Sequence, residues 1–130
     1  MSLNVLVADD SLVMRAMIVK TLRLTGLDLG EVHQVANGRE GLDVLNGKWI
    51  DILLVDINMP VMNGEEMIQK IRANPETREL PVVVVSSEGS QTRIDRLREM
   101  GAQFIQKPFE PEALRTILVT ITGVGDEQKN

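Results

Sequence analysis

Four apolar runs in this sequence end in side chains able to bind a metal ion or an anion. "NVLVA" leads into Asp9-Asp10-Ser11, "ILLV" into Asp56, "VVVV" into Ser86-Ser87 and "FIQ" into Lys107-Pro108. Each instance alone has an ordinary explanation. Asp-Asp-Ser before a helix caps it and favours its dipole, an Asp after a strand starts a turn, and a Lys before Pro is a solvated charge. The recurrence is what calls for chemistry. If the runs are parallel strands of one sheet, all four groups meet at its carboxyl edge, where open α/β sheets bind their ligands.

Three carboxylates in one cleft repel one another, so the cleft must either take up protons or bind a cation. An all-oxygen donor set without His or Cys favours a hard ion, and an open, hydrated site suits Mg²⁺. Mg²⁺ held by one or two carboxylates typically completes its shell with phosphate oxygens. Lys107 and the Ser86 hydroxyl supply a positive charge and a donor for such oxygens. The cleft therefore suits a phosphoryl group, and a carboxylate can itself attack phosphorus to form an acyl phosphate. Asp56, central among the tips, is the candidate nucleophile.

Elements able to position these groups alternate along the chain. Asn4–Ala8, Val32–Ala36, Ile52–Val55, Val82–Val85 and Phe104–Gln106 read as strands, β-branched or Leu-rich and bounded by turn residues. The most polar, "VHQVA", suits a sheet edge. Between them fall helical stripes: Met14, Met17, Ile18 and Leu22; Met67, Ile68 and Ile71; Ile94, Leu97 and Met100; Leu114, Ile117, Leu118 and Ile121. The stretch Gly38–Asn46 carries a sparser one through Leu42 and Leu45. Ser11, Asn63 and Ser90 read as helix starts, and Gly26, Gly47 and Gly101 as stops. Five strand-helix repeats predict an α/β fold, a parallel sheet with helices on both faces, and the uninterrupted "ILLV" and "VVVV" fit strands buried on both sides. Residues 1–122 make one domain, followed by a polar tail over 123–130.

Bulk properties narrow the function. The 130 residues suffice for one domain with a real core. Aromatic residues are only 2% of the chain, so that core must be aliphatic and Met-built. A net charge of −5 argues against neutralising nucleic-acid phosphates. No cysteine is present, which excludes disulfides and thiolate metal sites. Neither a membrane span nor a signal peptide is legible, so the expected location is the cytoplasm. His33, on the predicted edge strand, reads as solvated or hydrogen-bonded, and Arg93, Arg96 and Arg98 as an exposed helix face that could meet an acidic partner.

The motifs "VLVADDS", "LLVDINMPVMNG", "VVVVSSEG" and "GAQFIQKPF" together resemble the receiver domain of two-component response regulators, most closely its stand-alone CheY type. The resemblance covers nearly the whole chain. It implies the flavodoxin-like, doubly wound strand order 2-1-3-4-5. It also implies that Asp56 is the phosphoacceptor, Asp10 a direct Mg²⁺ ligand, Asp9 a neighbour acting largely through water, and Asn58 a ligand through its backbone carbonyl. Ser86 and Lys107 fall where the family contacts the phosphoryl group, and Pro108 where the preceding peptide bond is usually cis. Phe104 falls at the aromatic switch position, and Asn58 and Glu88 where the family tunes hydrolysis of the aspartyl phosphate. The interval from Gly101 to Lys107 is one residue shorter than the family pattern, and Ser86 replaces the commoner Thr.

What the resemblance implies is a signalling module. A histidine kinase or phosphotransfer protein donates the phosphoryl group, and the receiver catalyses its own phosphorylation and dephosphorylation without being an enzyme on external substrates. The added charge draws in Ser86 and Lys107, Phe104 turns inward, and the face of the fourth helix, fifth strand and fifth helix changes for a downstream target. Neither nucleic acid nor membrane is an expected direct partner, and output is expected to pass through a partner protein rather than an output domain of its own, unless the chain is a piece of a longer one. A monomer is expected, with dimerisation on phosphorylation left open. Two rival readings are a haloacid-dehalogenase-type phosphatase and a degenerate receiver that only binds partners. The first needs Asp-x-Asp, where "DIN" places Asn58; the second is opposed by the complete set of acids, hydroxyl and lysine.

Overall fold

Unbroken β-branched runs bury both faces of a strand, and that requirement organises the molecule. A computed structural model of the chain describes residues 2–87 and 89–124. Strands β1 (Leu3–Ala8), β2 (Leu29–Val35), β3 (Ile52–Val55), β4 (Val82–Ser86) and β5 (Gln103–Gln106) alternate with helices α1 (Leu12–Leu24), α2 (Gly38–Gly47), α3 (Gly64–Ala73), α4 (Gln91–Glu99) and α5 (Pro111–Thr122). All pairings are parallel, and the sheet order is β2-β1-β3-β4-β5. The polar strand β2 is thus at an edge, while every residue of β3 and β4 is buried.

Alternation along the strands divides the core into two layers. Leu6, Ala8, Leu53, Val55, Val82 and Val84 face α2, α3 and α4, packing with Met67, Ile68, Ile71 and Leu97. Val5, Val7, Ile52, Leu54, Val83 and Val85 face α1 and α5, packing with Ile18, Leu22, Leu114 and Leu118. Helix starts follow the predicted caps. Ser11, Asn63 and Ser90 each accept a backbone N–H at their helix, and Asn63 forms a reciprocal capping box with Glu66. Gly26 and Gly101 leave α1 and α4 with positive φ, a backbone conformation that a side chain would strain. Gly47, expected to follow α2, is instead its last residue.

One expectation needs correction. Met17 is 56% exposed rather than core-facing. It sits about 100° around the helix from Ile18, outside the stripe that Met14, Ile18 and Leu22 form. The arginines of α4 lie on its outer side as expected, Arg96 and Arg98 exposed and Arg93 half-buried. Arg96 makes a two-point contact with Glu65 at the start of α3, at 3.1 and 3.3 Å, and Arg93 lies 3.9 Å from the same carboxylate. His33 is hydrogen-bonded to Glu31 at 2.9 Å. Of the predicted polar tail, Gly123 and Val124 are described, and Val124 is buried in the second core layer; residues 125–130 lie outside the described residues. No described helix is long and apolar enough to cross a membrane.

Candidate functional site

Parallel pairing of β1 with β3, Ala8 opposite Val55, carries Asp9 and Asp56 to the same end of adjacent strands. The backbone N–H of Asp56 donates to the Ala8 carbonyl, which extends the ladder to the tip. Carboxylate oxygens of Asp9, Asp10 and Asp56 all lie within 4.8 Å of one another. The three differ in setting: Asp9 is buried, Asp56 half-buried and Asp10 exposed.

Each carboxylate is also differently engaged. Asp9 uses Oδ1 to accept the Ser11 N–H at 2.9 Å and Oδ2 to meet Lys107 Nζ at 3.2 Å. Asp56 Oδ1 accepts its neighbour's N–H, from Ile57, at 2.8 Å. Its Oδ2 remains 4.0 Å from Lys107 Nζ. Among the described residues no hydrogen bond or ion pair engages the Asp10 carboxylate. Burial raises the Asp56 carboxyl above the ordinary carboxylate range; Lys107 opposes the shift, Asp9 adds to it, the Ile57 N–H opposes it and Asp10 adds a little more.

Lys107 reaches the cluster because β5 lies at the opposite side of β4 and its chain exits toward the acids. The Lys107 N–H donates to the Ser86 carbonyl at 2.9 Å, and the Lys107–Pro108 peptide bond is cis. Ser86, the buried last residue of β4, pairs with Gln106, and Val84 with Phe104. In this register Ser86 and Phe104 project from the same sheet face on neighbouring strands. Phe104 is half-buried against the layer containing Val84 and Leu97. Asn58 is exposed in the loop after β3, and Glu88 lies outside the described residues.

Three positions that sequence reasoning did not single out support the site. Arg15, in the first turns of α1, donates from Nη1 to the Asp9 carbonyl at 2.6 Å and so holds the backbone of the acidic loop. Gly64 opens α3 directly behind Asp56, where an added Cβ would collide with the Asp56 carbonyl oxygen. Val61 has a φ of 67°, and the Met62 N–H donates to the Pro60 carbonyl at 2.6 Å, which makes a tight three-residue turn. Only the Asn63-Gly64 pair hinted at any of this, as a turn signal before a helix.

Donor chemistry fits a hard divalent ion. The cluster offers carboxylate oxygens only, one exposed and without a partner among the described residues, beside a lysine that balances part of the charge.

Comparison with known proteins agrees with this geometry. The model of the response regulator receiver domain matches residues 5–119. A chemotaxis protein CheY homolog from Campylobacter jejuni is 34% identical over 95% of both chains. The crystal structure of the Vibrio cholerae chemotaxis protein CheY4 superposes with a TM-score of 0.81 at 32% identity, covering 93% of this chain and 99% of that one. The receiver domain of a sensor histidine kinase from Pseudomonas aeruginosa superposes with a TM-score of 0.82 at 25% identity, over 95% and 99% of the two chains. That structure has a magnesium ion coordinated in its active site cleft.

Proposed function

The chain belongs to the response regulator receiver domain family, and on that premise we propose that Asp56 accepts the phosphoryl group and that residues 1–122 act as the receiver unit. The observation that carries this reading is the position of Asp56. It is central among the converging tips, with Oδ1 occupied by the Ile57 N–H and Oδ2 left to face Lys107. Oδ2 is accordingly the attacking oxygen. Its bond to phosphorus forms as the phosphorus–nitrogen bond of a donor phosphohistidine breaks, and the imidazole, having taken a proton from solvent on its other ring nitrogen, leaves as the neutral base with the electron pair of the broken bond.

Asp10, exposed and unengaged among the described residues, would hold a Mg²⁺ ion directly together with Asp56 and the Asn58 carbonyl. Asp9, whose two oxygens are already taken, acts from behind. Bound Mg²⁺ offsets the negative charge that accumulates around the transferred group. Lys107 and the Ser86 hydroxyl steady the phosphoryl oxygens. The same contacts draw Ser86 outward from its buried position, and the shared face gives Phe104 room to turn inward. The surface of α4, β5 and α5 then changes for a target protein. Asn58 and Glu88 set how fast the aspartyl phosphate hydrolyses. The protein works in the cytoplasm as a monomer.

Incubation with Mg²⁺ and acetyl phosphate tests the reading. One phosphoryl group should be added per chain and lost on alkaline treatment, and Asp56→Asn should abolish uptake. Equal labelling of the variant would overturn the assignment of Asp56.

A further inference from the structure

We propose that Trp49 anchors a second docking surface, remote from the acidic cleft, for a partner segment in which an apolar side chain is flanked by Lys or Arg. Trp49 is the chain's single tryptophan and is 77% exposed, an unusual place for the largest apolar side chain in a protein poor in aromatics. It is also held in position. The indole N–H donates to Asp51 Oδ1 at 2.9 Å, while Asp51 Oδ2 accepts the Asn4 N–H at 2.8 Å. The Asn4 side-chain amide closes the loop by donating to the Trp49 carbonyl at 3.2 Å. The indole's only polar atom is therefore satisfied within the protein, and the ring presents an apolar, pre-ordered surface. Pre-ordered tryptophans of this kind lose little freedom on binding and dominate interface energetics.

The surroundings choose the partner's chemistry. Trp49 lines two neighbouring grooves of about 320 and 360 Å³. Their walls carry four carboxylates, those of Asp43, Asp51, Glu76 and Glu79, against two ammonium groups, those of Lys48 and Lys70. Asp51 is occupied by the anchor itself, while Asp43, Glu76 and Glu79 are exposed. An acidic rim around an apolar knob complements a basic segment with an apolar side chain, and repels a second copy bearing the same rim. The location makes the surface independent of the cleft. Trp49 precedes β3 and Asp56 follows it, so a strand of four residues, roughly 13 Å long, separates the two ends. A partner seated on Trp49 leaves the cleft open.

A randomised short-peptide library displayed on phage tests the proposal against the full chain. Selection should enrich sequences with Lys or Arg flanking an apolar residue, and a synthesised winner should shift Trp49 emission. Trp49→Ala should weaken that peptide's binding at least about tenfold by fluorescence anisotropy, and Glu76→Lys should weaken it and reduce its salt dependence. Uptake of phosphate from acetyl phosphate by Trp49→Ala should equal wild type, which separates this surface from the cleft. No enrichment, enrichment of acidic sequences, or equal binding to Trp49→Ala would each overturn the proposal. So would sedimentation showing a dimer that Trp49→Ala dissolves, since the occupant would then be a second copy.

Discussion

Lys107 Nζ lies 3.2 Å from Asp9 Oδ2 and 4.0 Å from Asp56 Oδ2, so the lysine is seated against Asp9 rather than the central acid. A cation entering the cluster must share these carboxylates with an ammonium group already in place. Replacing Lys107 with Met removes that competitor, and Mg²⁺ should bind about three- to tenfold more tightly, the scale of one partly screened charge contact. Phosphoryl uptake should nevertheless fall, because the group lost is one that steadies the transferred oxygens. Calorimetric titration with Mg²⁺ beside acetyl phosphate labelling reads both. Unchanged Mg²⁺ affinity would show that the lysine does not compete.

Asp56 makes folding depend on pH in a defined direction. Burial lifts its carboxyl above the ordinary value of 3.8 in the folded protein. The folded state therefore holds its proton more tightly than the unfolded chain does. Above the raised value the ionised group destabilises the fold, and below 3.8 that penalty is gone. Asp56→Asn should accordingly raise Tm near neutral pH without Mg²⁺, and the gain should shrink as pH falls toward 3.8. Thermal unfolding across that range checks it; a gain that grew on acidification would contradict the burial argument.

Val61 stores local strain. It is a β-branched residue at positive φ, and it is 79% exposed, so its side chain supplies little packing in return. Val61→Asn should stabilise the fold by about 1 kcal/mol, since Asn tolerates this backbone region far better. Urea denaturation gives the difference. A neutral or negative change would mean that the turn accommodates valine without cost.

Gly64 is required by contact rather than by conformation. A Cβ there would meet the Asp56 carbonyl oxygen and crowd the Ile57 Cα, and backbone cannot step aside as a flexible side chain does. Gly64→Ala should cost about 1–3 kcal/mol, the usual range for overpacking. It should also lower phosphoryl uptake by displacing Asp56, whereas Gly47→Ala, with open space around it, should leave uptake unchanged. Equal behaviour of the two variants would argue against close packing behind Asp56.

Much of this protein is determined by its sequence alone. The span of β3 is legible to the residue because a strand buried on both faces has to be apolar throughout, and breakers mark where it stops. Asp56 and Ser86 are legible as strand-end residues for the same reason, whereas Lys107 follows the polar-edged β5 and is marked by the Pro after it. Helical periodicity puts Met17 at the margin of the α1 stripe, about 100° from Ile18, and only the packing against the sheet decides whether such a marginal position is covered; in the structure it is exposed. Distances between strands are not local at all. That Asp9 has both oxygens engaged while Asp10, among the described residues, has neither, that Arg96 turns to Glu65, and that Arg15 grips the Asp9 carbonyl are decided by register and helix packing. The Lys107–Asp9 and Arg96–Glu65 contacts join residues far apart in the chain, and the Arg15–Asp9 contact, though nearer in sequence, needs α1 to be packed back over the acidic loop. Residue types state which chemistry is available at a tip; only the packed sheet decides which oxygen is left to perform it.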